Sequence, residues 1–425
     1  VADTPPSVIY FIGDGMGMEY LAVYRHFADD PTTEAIEPTL FDRYLVGTAA
    51  THPHGHELVT DSAASATALS AGVKTYNGAI GVDRNQQPVE TLLERAKKLG
   101  YQTAMVATSH INHATPASFA AHVKSRQQYQ DIADQYLDNR IDGKPWVDVL
   151  IGGGQQYFKR QDRDLVKGFT DLGYQYADSF AALAELERAP VLALLAAQGL
   201  PYALDGAPAN RLEVMTRKAL ALLPQSQPFF LLVEASEIDW CGHDNDIACA
   251  MAEMRDAEAA LKVLADYTHR HGNSVLVMTA DHSTGGLSMG ANGKYQWHAS
   301  KLHNIKGSGR ALVKRLMAAG DQWPQMWHEL TAISLSQAQQ QTLAPMVKAA
   351  TSAEASSEQS TTQASLRRAL LEVINNASAT GWTTEGHTGG DVPVMATGVN
   401  AQQFAGHQDN TAIARKLFTR LQPVE

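Results

Sequence analysis

Only two cysteines, Cys241 and Cys249, occur in the 425 residues. So few exclude a disulfide framework and a four-cysteine zinc site within one chain. On one helix, positions eight apart lie about 12 Å from each other, too far to bond, so the pair is read as free thiols. Positive charge is not in excess: Asp, Glu, Lys and Arg make up 19% of the chain, an ordinary share for a globular protein, and the balance is −11. A surface short of Lys and Arg is a poor match for a phosphate backbone, which argues against nucleic-acid binding. An anionic substrate would then need positive charge supplied locally, as metal ions can. No apolar run reaches the length of a membrane span. The chain begins at Val1 rather than Met, and a removed export signal is the expectation.

What the chain does have is an alternation of elements. Hydrophobic residues are 44% of the total, enough for a large core. Apolar runs at Ser7–Ile12, Gln102–Ala107, Val147–Ile151, Pro228–Val233, Ser274–Met278 and Pro393–Thr397 read as buried parallel strands. Helical patterns at Val89–Leu99, Arg211–Leu223, Ile247–His269 and Asn410–Leu421 lie between them. The fold expected is α/β, a doubly wound and mostly parallel central sheet flanked by helices. Between 287 and 384 the strand pattern stops and Ala, Gln, Ser and Thr dominate. That segment reads as a largely helical insertion into a core made of 1–286 and 385–425, although Thr351–Ser365 alone also suits a flexible linker.

Open α/β sheets carry their chemistry at the carboxyl ends of strands. Those ends hold Asp14 in "FIGDGMG", Glu234, Asp239 and His243 in "EASEIDWCGHDND", and Asp281 and His282 in "TADHSTGG"; His387 precedes the last strand in "TEGHTGG". Taken singly, each is an ordinary turn or surface pair. Together, carboxylates this dense would repel and raise one another's pKa unless cations neutralise them. Mixed Asp/His sets suit zinc, and all-oxygen sets suit magnesium. A further stretch, "VTDSAASATALSAG", reads as an alanine-rich helix with Asp-Ser at its head and Gly72 as its cap.

These segments, with "HATPASFAAHVKSR", resemble the alkaline phosphatases in order and spacing, over about residues 7–286 and 385–420. The resemblance implies a hydrolase acting on phosphate monoesters, with inorganic phosphate as product, two zinc ions and one magnesium ion. It places the nucleophile that becomes phosphoserine at Ser62. Asp239, His243 and His387 would hold the first zinc. Asp281 and His282 would hold the second, with Asp14 bridging towards the magnesium held by Asp14, Thr115 and Glu234. Arg126 would grip the phosphate. Asp61, His113 and Trp240 would stand close to the substrate or behind the ligands; the last two are positions at which the family varies. A homodimer and a periplasmic or secreted location are implied as well.

The chemistry fits the residues. A serine hydroxyl is a weak nucleophile, and metal coordination is one way to activate it. No histidine–serine pair stands out in the sequence. A helix N-terminus favours an alkoxide and then a phosphate, and a guanidinium holds two phosphate oxygens at once. The competing readings are a phosphodiesterase or nucleotide pyrophosphatase of the same superfamily, which usually lacks the arginine and the magnesium pair, and a non-catalytic metal-binding protein, which would have lost Ser62 or Arg126. A sulfatase would need Cys/Ser-x-Pro-x-Arg, and "SAASA" has neither Pro nor Arg. His52, His54 and His56 read as a polar loop, or as pocket rim or a weak metal site. Tyr295, Trp297 and His298 read as packing of the insertion or as part of the substrate entrance.

Overall fold

The apolar runs become the middle of a ten-stranded sheet. In chain order its strands are β1 (Ser7–Gly13), β2 (Leu45–Ala50), β3 (Gln102–His110), β4 (Val149–Gly153), β5 (Gln175–Ala177), β6 (Val191–Leu194), β7 (Phe229–Ala235), β8 (Ser274–Ala280), β9 (Val392–Gly398) and β10 (Gly406–Asp409). They lie side by side as β10-β2-β9-β8-β1-β7-β3-β4-β6-β5. The computed structural model describes residues 4–353 and 357–424. Every residue of β1, β7 and β8 is buried, as expected of parallel strands covered by helices on both faces.

Two parts of the strand reading need correction. The last apolar run, β9, is antiparallel to both β8 and β2. The chain leaves β8 at its carboxyl end, runs through the helical segment, and returns at the same edge, where His387–Thr388 pairs antiparallel with Ser283–Thr284. From there it can only run back down. Four strands, β2, β5, β6 and β10, are not among the runs read as strands: β6 lies in the apolar run Val191–Ala197, which that reading passes over, whereas β5 spans three residues and β10 is the polar tetrapeptide Gly406–Asp409.

The free-thiol reading of Cys241 and Cys249 is also overturned: the two form a disulfide. The distance estimate assumed one helix. The chain instead breaks between α4 (Glu237–His243) and α5 (Ile247–His271), with Asn245 in the left-handed region at φ 53°. Asp246 caps the new helix by accepting from Cys249 N–H at 3.1 Å. The turn brings the two Cα atoms to 5.5 Å, ordinary disulfide spacing.

Helix α1 (Ser62–Ala71) packs against α2 (Ala114–Ala120) and α10 (Asn410–Phe418). Its first nine residues are all buried, which small side chains permit. Helix α3 (Arg211–Leu222) lies along α5, and fully buried Arg211 reaches Glu237 (2.5 Å), Glu253 (2.8 Å) and Asp256 (2.8 Å). That cluster fixes the start of α4 from behind. Between Leu287 and Thr384 the chain forms α6 (Gly309–Ala319), α7 (Trp323–Thr331), α8 (Gln337–Ser352) and α9 (Ser357–Ser378). Leu312, Leu316, Trp327, Leu366 and Leu370 are buried within this segment. In place of a linker, Thr351–Ser352 end α8 and Ser357–Ser365 belong to α9; positions 354–356 lie outside the described residues.

Candidate active site

Register alone assembles the centre. Gly13 pairs with Ala280 on one side of β1, and Ile12 with Glu234 on the other. Parallel neighbours end together, so Asp14 and Asp281 follow their strands side by side, with Glu234 adjacent. One short turn after β7, α4 presents Asp239 and His243 from a single face. The Ser283–Thr284/His387–Thr388 pairing brings in His387. The described residues contain three groups able to hold a metal ion: Asp239–His243–His387, Asp14–Asp281–His282 and Asp14–His113–Glu234.

The histidines are oriented for metal. His243 Nδ1 lies 2.6 Å from Glu385 O, and His387 Nδ1 lies 2.9 Å from Thr60 O. A carbonyl only accepts, so each Nδ1 carries the proton and each Nε2 lone pair points inward, as in metal-ligating histidines. The inward atoms face one another: His387 Nε2 to His243 Nε2 is 3.2 Å, His243 Nε2 to Asp239 Oδ2 is 3.3 Å, and His387 Nε2 to Asp239 Oδ1 is 3.4 Å. Ligands about 2.0–2.2 Å from a tetrahedral ion lie about 3.3–3.6 Å apart. The second group has the same spacing, with His282 Nε2 3.2 Å from Asp281 Oδ2 and 3.4 Å from Asp14 Oδ1.

The third group is defined by what lacks a partner. Asp14 Oδ2, Thr115 Oγ1, Glu234 Oε1 and His113 Nδ1 are all buried without a hydrogen bond. Orphaned buried polar atoms are costly and rare, and four in one place fit a cation. Burial raises the Asp14 pKa well above the carboxylate range, with Asp281, Asp239 and Glu234 adding repulsion. Burial likewise pushes Glu234 up to about 8. Burial, then His110 and Arg126, hold His113 well below its ordinary value and keep its ring neutral. Burial opposes charge on Asp239, yet His243 and His387 hold its pKa well down.

Ser62 is the first residue of α1 and 1% exposed. Its Oγ lies 3.0 Å from His282 Nε2 and 3.5 Å from Asp14 Oδ1. Nothing in the order of residues marks His282 as its neighbour. One imidazole N–H cannot serve Ser62, Asp281 and Asp14 at once, whereas a shared cation can, so the contact reads as two ligands of one ion better than as a serine–histidine couple. Asp61 does two jobs: Oδ1 accepts from Ala64 N–H at 2.9 Å, capping α1, and Oδ2 accepts from Arg126 Nη1 at 3.1 Å. The other end of the guanidinium lies 3.3 Å from His113 Nε2. Trp240 meets the His113 ring edge-on, with centroids 5.8 Å apart.

All thirteen residues singled out from the sequence thus meet in one place. Others do not join them. The side chain of His52 is half exposed, with Asp409 3.9 Å away. Tyr295 is fully exposed, and Trp297 donates to Thr380 Oγ1 at 2.9 Å, within the helical segment. Sequence reasoning missed Tyr202 and Arg310, which border the site beside Trp240 and His243. No motif marks either; only the fold brings them near.

The alkaline phosphatase family model matches residues 6–422. Alkaline phosphatase 3 of Bacillus subtilis (strain 168) is 43% identical over 425 residues, covering 99% of this chain and 90% of that protein. A solved cold-active alkaline phosphatase from a psychrophilic Shewanella sp. shares 43% identity and superposes with a TM-score of 0.90, covering 98% of this chain and 99% of that one. A histidine-to-glutamate variant of the alkaline phosphatase from the Antarctic bacterium TAB5, solved with magnesium bound in its M3 site, shares 25% identity with a TM-score of 0.70 over 98% of each chain. Fold and site are those of a metal-binding hydrolase. The chain belongs to the alkaline phosphatase family.

Proposed function

We propose that the chain hydrolyses phosphate monoesters through a phosphoserine at Ser62. The observation that carries this reading is the position of Ser62 Oγ, at a buried helix N-terminus and 3.0 Å from a nitrogen of the second metal group. Asp239, His243 and His387 would hold one zinc; Asp281 and His282, with Asp14, a second; Asp14, Thr115 and Glu234, with His113 nearby, a magnesium. Bound there, the ions would supply Lewis-acid charge to the phosphate oxygens and lower the proton affinity of Ser62. Oγ then bonds to phosphorus as the ester alcohol leaves, and water later releases inorganic phosphate and restores the serine. Ahead of the capped Ala64 N–H, the N–H groups of Ser62 and Ala63 would face the phosphate. Asp61 and His113 hold the guanidinium of Arg126 in one plane, ready for two oxygens of a dianion. A diester has only one such charge to offer, which favours the monoester over the diesterase reading.

The disulfide supports a periplasmic or secreted location, since disulfides persist in oxidising compartments. No helix among the described residues is long and apolar enough to cross a membrane. The proposal also takes 287–384 as an inserted subdomain on a core of 1–286 and 385–425, and the assembly as a homodimer. Comparing phenyl phosphate with diphenyl phosphate, with and without added zinc and magnesium, tests the function. Monoester turnover should dominate and require metal, and Ser62→Ala should lose several orders of magnitude in kcat while still binding phosphate. Equal or faster diester hydrolysis would refute the monoester reading, and normal turnover by Ser62→Ala would refute the nucleophile.

A further inference from the structure

Beside the first metal group a cleft of about 400 Å3 opens between the core and the inserted helices. That volume is within the range of small-molecule sites. His243 lines it, and its side chain is 40% exposed while that of Asp239 is 5% exposed. This is the open side of the site. Ser62 Oγ lies against the opposite group, at His282 and Asp14. Displacement at phosphorus runs in line, so the departing alcohol points away from Ser62 and towards the His243 side.

The walls of the cleft are built and held. Trp240 and Tyr202 contribute rings, and Arg310, from the inserted helices, contributes its guanidinium. Trp240 fits because residue 199 is glycine: a Cβ there would stand 2.5 Å from the indole Cη2. The Asp205 carboxylate accepts from Ser308 N–H at 2.7 Å and from Ser308 Oγ at 2.6 Å, tying the Tyr202 loop to α6. Arg310 is held by Asp244, Nε to Oδ2 at 2.8 Å and Nη2 to Oδ1 at 3.2 Å. Asp244 Oδ1 also pairs with Arg367 Nη2 at 3.2 Å, so the charge of Arg310 is offset in part. What the cleft offers is flat surface, two aromatic rings and a guanidinium plane, with little net charge.

We propose that this cleft is a subsite for the alcohol half of the substrate, selecting planar aromatic groups such as nucleosides over small aliphatic alcohols. The proposal rests on the monoesterase reading above. The test is the ratio of kcat/KM for adenosine 5′-monophosphate to that for glycerol 3-phosphate, measured on the metal-loaded enzyme. Both esters leave from a primary alcohol, so the ratio reports recognition and not leaving-group chemistry. Tyr202→Ala should lower the ratio about 10-fold, the scale of losing one stacking partner. Arg310→Ala should lower it about 3-fold, the scale of an exposed cation–π contact. Arg310 is 56% exposed in its side chain, so that variant keeps the subsite testable if Tyr202→Ala does not fold. A ratio unchanged in Arg310→Ala and in folded Tyr202→Ala overturns the subsite and leaves the monoesterase reading standing. An unaltered enzyme that cleaves neither ester overturns both.

Discussion

Stripping the metals should make the protein's stability fall with rising pH, and the site sets the size of the effect. Glu234 is fully buried among acids, and burial, with repulsion from Asp281, carries its pKa from 4.5 to about 8. A folded value above the unfolded one means the stabilising contribution is complete below pH 4.5 and lost as pH rises through 8. At about 1.4 kcal/mol per pH unit, the gap corresponds to at most about 5 kcal/mol. His243 acts in the same direction, since Asp239 carries its pKa up to about 9 although burial opposes the charge. Asp239 and Asp281, both held below the carboxylate range, titrate beneath this window. A loss of several kcal/mol is large against a typical total of about 5–15 kcal/mol. Urea unfolding at about pH 5.5 and about pH 9, with and without chelator, measures it. Bound cations would neutralise Glu234 and replace the proton on His243, so the loaded protein should keep the smaller dependence of groups away from the metal groups, among them Asp246 and Asp256, whose pKa values burial raises to about 7 and about 6, and Glu237, which burial raises well above the carboxylate range. The reasoning fails if the chelated and loaded proteins lose stability in parallel, or if the chelated form gains stability with pH.

Two further outcomes follow from named contacts. Arg126→Ala should weaken inhibition by inorganic phosphate about 10- to 100-fold, the scale of a lost charge-assisted bidentate contact, while the bound-metal content by metal analysis stays unchanged; metal loss would make Arg126 structural. Cys249→Ala opens a loop of eight residues, which the chain-entropy relation values at about 2.5 kcal/mol. It should lower the urea midpoint and speed metal release to a chromophoric chelator, because the disulfide anchors the helix carrying Asp239 and His243; unchanged release would show that the Arg211 cluster holds α4 without it.

How much of this was legible depended on whether the signal was local. Asp14, Glu234 and Asp281 could be read because each follows a continuous apolar run, and strand ends gather in a parallel sheet whatever the order of the strands. Ser62 could be read from its motif, but the double duty of Asp61, capping α1 and orienting Arg126, needed coordinates because residues 61 and 126 meet only across the fold. The antiparallel turn of β9 was hidden, since an apolar run says nothing about direction. Arg310 and Tyr202 were hidden for the same kind of reason: their proximity depends on how α6 packs beside the loop carrying Tyr202.

The disulfide shows where a sound distance argument failed. Eight residues on a helix are indeed too far apart to bond, but no sequence rule marked the break at Asn245. The break serves the site. Asp239 and His243 need one helical turn to share a metal. His243 needs to end that helix, so that its ring can reach Glu385 O on one side and the metal group on the other. A helix continued through 244–246 would carry α5 along the axis of α4 and off the sheet. Stopping at His243 frees Asp244 to hold Arg310, and Asp246 to accept from Gly309 N–H at 2.6 Å. The turn that brings the cysteines together is thus also the point where α6 is fastened beside the first metal group, so a change there should disturb metal retention and alcohol selectivity together.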